Sequence, residues 1–172
     1  VLFVGNHRGF FDVIISYTYI KTRAAYVAKK EMAKVPILRV WMRNIRCLLL
    51  DRQNTREALK SILSGIEYIK DGTSLVIFPE GTRNKTEDLM LPFKEGSFKM
   101  AEKTGCLIVP MAISGSADIL EAHFPKVKPV HVIVEYGKPI DPKSLDKDTR
   151  KKIGSHCQGV IAEMLEKNNP QI

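Results

Sequence analysis

The sequence has few of the features that mark metal-binding, disulfide-linked or membrane-spanning chains. Its three cysteines, Cys47, Cys106 and Cys157, are widely spaced and form no C-x-x-C pair. This pattern supports neither a disulfide framework nor a zinc site, and we interpret the cysteines as thiols in a reducing compartment. No two histidines have ligand spacing, so we expect no metal. No apolar run approaches the ~18 residues that a transmembrane helix needs.

Internal repeats, low-complexity tracts and Gly/Ser linkers are also absent, so we expect a single domain over residues 1–172. The composition, 44% hydrophobic and 27% charged, is typical of a globular protein and excludes a disordered chain. The chain begins within an apolar run and without an initiator methionine. We therefore expect it to be the catalytic part of a longer protein whose membrane-associated segment lies upstream.

The net charge of +8 is unevenly distributed along the chain. Residues 1–60 carry 12 Lys and Arg against 4 Asp and Glu, whereas the two signs balance in the remainder. A basic surface of this kind attracts the phosphates of nucleic acids, anionic lipid headgroups or a phosphorylated cofactor. Charge alone does not choose among these three.

Hydrophobic periodicity predicts strands that alternate with helices. The clearest helix is 55–70, which has one apolar stripe and ends at Asp71-Gly72. Other helices are predicted from Asp12, from Pro36, over 95–103 and over 146–167. Predicted strands are 1–4, 24–28, 47–50, 74–78, 107–113 and 130–136; Pro110 indicates an edge strand or an interrupted ladder. The alternation predicts an α/β fold with a mostly parallel or mixed central sheet and helices on its faces.

The first candidate for chemistry is the segment Asn6-His7-Arg8-Gly9-Phe10-Phe11-Asp12, directly after the first predicted strand. On a regular helix, a spacing of five residues rotates by about 500° and separates His7 from Asp12. Across a loop that folds back, the carboxylate can accept a hydrogen bond from Nδ1–H and leave Nε2 free as a base. The alternative is a helix-capping aspartate beside an ordinary loop histidine, and this segment alone favours it.

The second candidate is Phe78-Pro79-Glu80-Gly81-Thr82-Arg83, which follows a predicted buried strand. Arg83 can bind a phosphate through two nitrogens, and the backbone at Gly81 can approach a ligand closely. The alternative is a surface turn with a solvated arginine. Two weaker candidates are Leu50-Asp51-Arg52, at the end of an apolar stretch, and Val109-Pro110-Met111, within a predicted strand.

Taken together and in this order, the four segments resemble the blocks of the glycerolipid acyltransferase family. The best-known members of that family acylate lysophosphatidic acid to phosphatidic acid. The matches to N-H-x4-D, D-R, F-P-E-G-T-R and V-P lie at residues 6–12, 51–52, 78–83 and 109–110. The likeness extends over the chain to about Gly137. The second block departs from the family, because Cys47-Leu48-Leu49 stands where glycine and aromatic residues are usual, and this bears on acyl preference.

The resemblance implies a glycerol-3-phosphate acyltransferase-like fold, with His7 as general base and Asp12 as its orienting partner. It places the acceptor's phosphate on one set of residues: Glu80, Gly81, Thr82 and Arg83, assisted by Arg52 and Lys29. The implied reaction moves a fatty acyl group from acyl-CoA or acyl carrier protein to the sn-2 hydroxyl of 1-acyl-sn-glycerol 3-phosphate, with no bound cofactor. Direct transfer agrees with the residues, because the sequence has no G-x-S-x-G nucleophile motif.

The predicted helix from Pro36 is amphipathic and basic. Ile37 and Trp41 can enter a lipid headgroup layer while Arg39 and Arg43 meet lipid phosphates. This interpretation predicts an anionic membrane surface as a partner and a location on the cytoplasmic face of a membrane. The alternative is that the apolar side of the helix packs on the protein core.

Other functions compete with this reading. Glycerol 3-phosphate or another lysophospholipid could be the acceptor, since the same blocks are shared by those activities. A basic nucleic-acid-binding module lacks support, because the sequence has no helix-turn-helix pattern, zinc ligands or stacking aromatics, and we expect no specific nucleic-acid partner. An inactive lipid-binding relative is disfavoured by the intact His7 and Asp12.

Overall fold

A computed structural model describes residues 1–51 and 54–172 of the chain. Its central sheet has the strand order β3-β2-β4-β1-β5-β6. All neighbouring strands are parallel except β5 and β6, which are antiparallel. The predicted α/β class with a mixed sheet is confirmed. The strands are β1 (Leu2–Gly5), β2 (Ala24–Lys29), β3 (Leu48–Leu50), β4 (Ser74–Ile77), β5 (Ile108–Ser114) and β6 (Ile133–Tyr136).

Helices cover both faces of this sheet. Asn54 begins the longest connecting helix by accepting hydrogen bonds from the backbone N–H groups of Arg56 and Glu57, which otherwise have no partner within the helix. The helices are α1 (Phe11–Tyr19), α2 (Pro36–Asn44), α3 (Thr55–Lys70), α4 (Lys99–Thr104), α5 (Lys147–Lys151) and α6 (Ile153–Asn168), and short 3₁₀ turns span Lys30–Lys34, Glu95–Phe98, Ser116–Ile119, Glu121–His123 and Asn169–Gln171.

Strand alternation sends successive side chains to two cores. Leu2 and Val4 enter the core beneath α3, α4 and α6, together with Phe98 and Ile161. Residues of the opposite parity, such as Val76, face a smaller core on the side of α1 and α2. The segment that carries Asp12 is therefore packed on one sheet face, while the long helices cover the other.

The closing helix predicted over 146–167 is wrong in one respect, because it is two helices that meet at the non-helical Lys152. The Glu95 carboxylate accepts hydrogen bonds from the backbone N–H groups of Gly154 and Ser155, at 2.9 and 3.1 Å. Glu95 thus caps a new helix start from a distant part of the chain. The helix predicted over 95–103 begins as a 3₁₀ turn at the same place.

Pro110 does not lie on an edge strand, since β5 runs between β1 and β6. The predicted interruption of the ladder is nevertheless found on the β6 side. Met111 pairs with Tyr136, and the next antiparallel bridge joins Ile108 to Ile140. The Pro110 carbonyl accepts a hydrogen bond from Gly137 N–H in between. The missing N–H of the proline therefore falls where β6 turns away.

The carboxyl ends of the parallel strands share one edge of the sheet. The loops after β1, β4 and β5 leave from this edge, so residues 6–10, 78–94 and 115–132 are gathered there. Lys29 ends β2 at the same edge. In open α/β sheets, ligands bind at this edge. None of the helices in the described ranges is both long and apolar enough to cross a bilayer.

Candidate active site

Asn6 fixes the start of the loop that carries His7. Its side chain is 1% exposed and bonds both backbone groups of Ile113: Nδ2 donates to the carbonyl at 2.9 Å, and Oδ1 accepts from the N–H at 2.8 Å. The amide therefore extends the β1–β5 pairing beyond Gly5 with a side chain in place of backbone. The first loop residue is held on β5, and the chain is free to turn immediately afterwards.

The loop folds back so that His7 and Asp12 meet. Nδ1 of His7 lies 2.8 Å from Oδ2 of Asp12, which is fully buried in the first turn of α1. The same oxygen accepts hydrogen bonds from the backbone N–H groups of Arg8 and Gly9, both at 2.8 Å. An ionised carboxylate only accepts hydrogen bonds, so Nδ1 carries the proton and Nε2 of the neutral ring is the free base. The folded-back loop, which the segment alone did not favour, is the arrangement observed.

The ring of His7 is also held by stacking. It lies on the ring of Phe78, with 4.5 Å between centroids and 21° between planes. The imidazole side chain is 18% exposed. Nε2 has no hydrogen-bond partner among the described residues, so this nitrogen of the ring is free to accept a proton.

Glu80, predicted to lie on the acceptor's phosphate, is buried, and both of its carboxylate oxygens are bonded within the protein. Its Oε1 accepts from the backbone N–H of His7 at 2.7 Å, and its Oε2 accepts from Leu91 N–H at 2.8 Å. Burial raises the pKa of the Glu80 carboxyl above its ordinary value of 4.5, although the two hydrogen bonds and the nearby His7 act in the opposite direction. The Glu80 carboxylate therefore joins the loop after β4 to the loop that carries His7.

The loop after β4 holds His7 from its other side as well. Asn84 N–H donates to the His7 carbonyl at 2.7 Å, so both backbone groups of the histidine are bound by this one loop. Gly81 makes the necessary turn with φ of +76°, a conformation that favours glycine, and its N–H bonds the Phe78 carbonyl at 2.9 Å. Thr82 follows as an exposed residue.

Arg83 is partly exposed and pairs with Glu121, a residue that the sequence did not single out. Nη1 of Arg83 lies 2.8 Å from Oε1 of Glu121, and that oxygen also accepts the backbone N–H of Phe10 at 2.6 Å. Glu121 therefore connects the guanidinium to the first residue before α1. No local motif marks Glu121, because its partners lie 38 and 111 residues away. One of five guanidinium N–H groups is used in this way.

The two remaining candidates for phosphate binding are only partly placed. Lys29 is exposed at the end of β2, on the edge of the sheet from which the Glu80 loop leaves. Arg52 lies outside the described residues. The site that the structure assembles therefore consists of His7 and Asp12, with Arg83 and Glu121 beside them.

The helix predicted to lie at a membrane interface, α2, has both buried and exposed apolar residues. Met42 is buried in the core, and Trp41 is half-buried with its ring edge-on to Tyr17, 6.1 Å between centroids. In contrast, Ile37 is 82% exposed, and Arg39 and Arg43 are exposed. The helix thus packs one side on the sheet and leaves its amino-terminal end uncovered by the described residues.

Comparison with known proteins identifies relatives of this chain. The sequence profile of the family described as Acyltransferase matches residues 1–114. A 1-acyl-sn-glycerol-3-phosphate acyltransferase of Saccharomyces cerevisiae is 31% identical over 167 residues, which cover 96% of this chain and 54% of that protein. A protein of the same name from Escherichia coli is 26% identical over 172 residues, covering 99% and 69%.

A solved structure is similar in fold. The crystal structure of the 1-acyl-sn-glycerophosphate (LPA) acyltransferase from Thermotoga maritima superposes with a TM-score of 0.81 at 25% identity, over 96% of this chain and 65% of that one. The chain spans about half the length of the yeast relative and about two thirds of the bacterial ones. The matched profile covers most of the described site, from Asn6 to Arg83, and the chain belongs to the acyltransferase family.

Proposed function

We propose that this chain is the catalytic part of an enzyme that acylates the sn-2 hydroxyl of 1-acyl-sn-glycerol 3-phosphate and so forms phosphatidic acid. The observation that carries the proposal is the buried Asp12 carboxylate bonded to Nδ1 of His7, on the same sheet edge as the Arg83 guanidinium. A base for a hydroxyl and a cation for a phosphate are the two groups that such an acceptor requires. The names of the relatives support this choice of acceptor.

The reaction follows from the hydrogen bonds of His7. Nε2 takes the proton of the acceptor hydroxyl as its oxygen attacks the carbonyl carbon of the thioester. Asp12 stabilises the imidazolium that forms, because its charge lies against Nδ1–H. The carbon–sulfur bond then breaks, and the imidazolium returns its proton to the departing thiolate. General-base help contributes about 10²–10⁴-fold, so alignment of the two substrates supplies much of the remainder.

Arg83 is the residue best suited to the acceptor's phosphate. Its guanidinium keeps further N–H donors after its bond to Glu121, and two of them can meet two phosphate oxygens. Lys29, at the end of β2, and Arg52, which lies outside the described residues, are expected to add positive charge, and Thr82 an exposed hydroxyl. Glu121 keeps the guanidinium oriented, since its own position is fixed by Phe10 N–H.

The acyl donor is expected to be acyl-CoA or acyl carrier protein. The excess of Lys and Arg in residues 1–60 suits either, because coenzyme A carries phosphates and the carrier protein is acidic. The exposed Ile37, Arg39 and Arg43 support an anionic membrane surface as a further partner, on the cytoplasmic side where such donors are found.

The test offers the protein, preferably within its full-length parent, a lysophosphatidic acid, glycerol 3-phosphate and a neutral lysophospholipid in turn. Each acceptor is combined with a panel of acyl thioesters, and products are identified by mass. We expect phosphatidic acid to be the main product and His7→Ala to abolish it without unfolding the protein. Preferred acylation of glycerol 3-phosphate would contradict the proposed acceptor, and full activity of His7→Ala would contradict the mechanism.

A further inference from the structure

An ordered loop after the Glu121 turn exposes two large apolar side chains. In this 124–128 loop, Phe124 is 78% exposed and Val127 is 62% exposed. The loop is not a loose tail, since Lys126 N–H bonds the His123 carbonyl and Lys128 N–H bonds the Ile119 carbonyl, both at 2.9 Å. Single exposed apolar residues are common on protein surfaces, but two on one hydrogen-bonded turn indicate a surface built to contact something.

The loop begins close to the ion pair between Arg83 and Glu121. Glu121, which bonds Arg83 and the N–H of Phe10, precedes Phe124 by three residues. Three peptide units reach at most about 11 Å, so the exposed ring begins close to the ion pair. Phe10 itself is 37% exposed on the same edge of the sheet. Apolar side chains therefore border the site of the proposed acceptor.

The charges on the loop are all positive. Lys126 and Lys128 are exposed, and neither has an ion-pair partner in the described part of the chain. Apolar tips that alternate with lysines fit the boundary of an anionic lipid layer, where the rings meet acyl chains and the ammonium groups meet phosphates. The core of a protein interface is instead depleted in lysine.

We infer that the 124–128 loop inserts into the surface of an anionic lipid bilayer and thereby brings the Arg83–Glu121 pair close to the lipid layer. The inference rests on the proposed function for its biological sense, because both acceptor and product of that reaction are membrane lipids. It adds a second point of contact to the exposed end of α2. Phe124 and Val127 supply burial in the layer, while Lys126 and Lys128 supply the preference for anionic lipid.

The experiment measures binding of the full chain to phosphatidylcholine vesicles with and without phosphatidylglycerol. The double variant Phe124→Ser/Val127→Ser should bind anionic vesicles about tenfold or more weakly, from the lost apolar burial. Lys126→Glu/Lys128→Glu should bind anionic vesicles more weakly, by at least roughly fivefold for each lysine replaced, and should no longer prefer them to phosphatidylcholine vesicles. The matched control is Leu59→Ser/Leu63→Ser on α3, at positions 55% and 54% exposed, which should bind like the wild type.

Activity separates this inference from the proposed function. Phe124→Ser/Val127→Ser should retain kcat on a short-chain, water-soluble acceptor and lose rate only on acceptor embedded in vesicles. Wild-type protein that acylates neither acceptor would contradict the proposed function, while its vesicle binding would still test the loop. Unchanged vesicle binding of the loop variant, or an equal loss in the α3 control, would overturn the inference. A change in oligomeric state with unchanged vesicle binding would overturn it in favour of a protein contact.

Discussion

Replacement of Asp12 by asparagine tests the proposed role of His7 as a base, because it removes the charge of Asp12 while nearly preserving the shape of the side chain. The carboxylate lies 2.8 Å from Nδ1 of His7 and would face a full positive charge once the imidazole accepts the substrate proton. Two opposite charges with centres about 4 Å apart interact by roughly 4 kcal/mol at an effective dielectric constant of about 20. Loss of that energy from the transition state lowers kcat by about 10³-fold.

The assay for Asp12→Asn follows release of free thiol from the acyl thioester at saturating acceptor. Thermal unfolding serves as the control for folding. An amide NH2 in place of Oδ1, which is buried and has no hydrogen-bond partner, is expected to lower the free energy of unfolding by about 1–3 kcal/mol. The matched control is Asp148→Asn, which replaces an exposed carboxylate on α5 and should be fully active. The double variant with His7→Ala should be no slower than His7→Ala alone, since the pair acts as a unit. A kcat within tenfold of wild type in folded Asp12→Asn would refute the reasoning.

Three further predictions concern the neighbouring residues. In steady-state kinetics, Arg83→Ala should raise the acceptor KM by roughly 10- to 100-fold with little change in donor KM, and Glu121→Ala should have the same effect. In the double variant, Glu121→Ala should add little to the effect of Arg83→Ala. Additive effects of the two substitutions would contradict this coupling. Because burial raises the pKa of Glu80, this residue stabilises the fold most below pH 4.5, and the stabilisation is lost as pH rises through the pKa of the folded state. In urea denaturation at a series of pH values, the stability of Glu80→Gln should therefore lack this decrease. Parallel pH profiles of the variant and the wild type would contradict the prediction. Asn6→Ala should lower the free energy of unfolding by about 2–4 kcal/mol in the same assay, because it leaves the N–H and the carbonyl of Ile113 without hydrogen-bond partners. A decrease below about 0.5 kcal/mol, typical of a surface substitution, would contradict this role of the Asn6 amide.

Local signals in the sequence were sufficient for most of the fold. The apolar periods of α3 and β4 and the stop at Asp71-Gly72 depend on neighbours in the chain, and these elements appear within a residue of their predicted bounds. The break at Lys152 could not be predicted in this way. It depends on the Glu95 carboxylate, which lies 59 residues from Gly154 and supplies the cap that starts α6.

The same distinction applies to the site. The pairing of His7 with Asp12 is local, and the family resemblance predicted it correctly. Glu121 was missed because it contacts Arg83 and Phe10 across the sheet edge, and a glutamate in a loop has no pattern of its own. The exposure of individual side chains could not be predicted from the sequence either. Leu63 belongs to the apolar stripe of α3 and has the helical spacing of a buried residue, yet it is 54% exposed.

The two sequence blocks that hold the site form one hydrogen-bonded unit rather than a base loop and a separate phosphate loop. Both backbone groups of His7 are bound by residues of the second block, the N–H by the Glu80 carboxylate and the carbonyl by Asn84 N–H. Burial of the Glu80 charge is unfavourable, and its two hydrogen bonds join the loop after β4 to the loop that carries His7. We therefore expect neighbouring residues of one motif to have different effects on the kinetics. Changes at Glu80 should act on kcat through the position of His7, whereas changes at Arg83, three residues later, should act on acceptor KM.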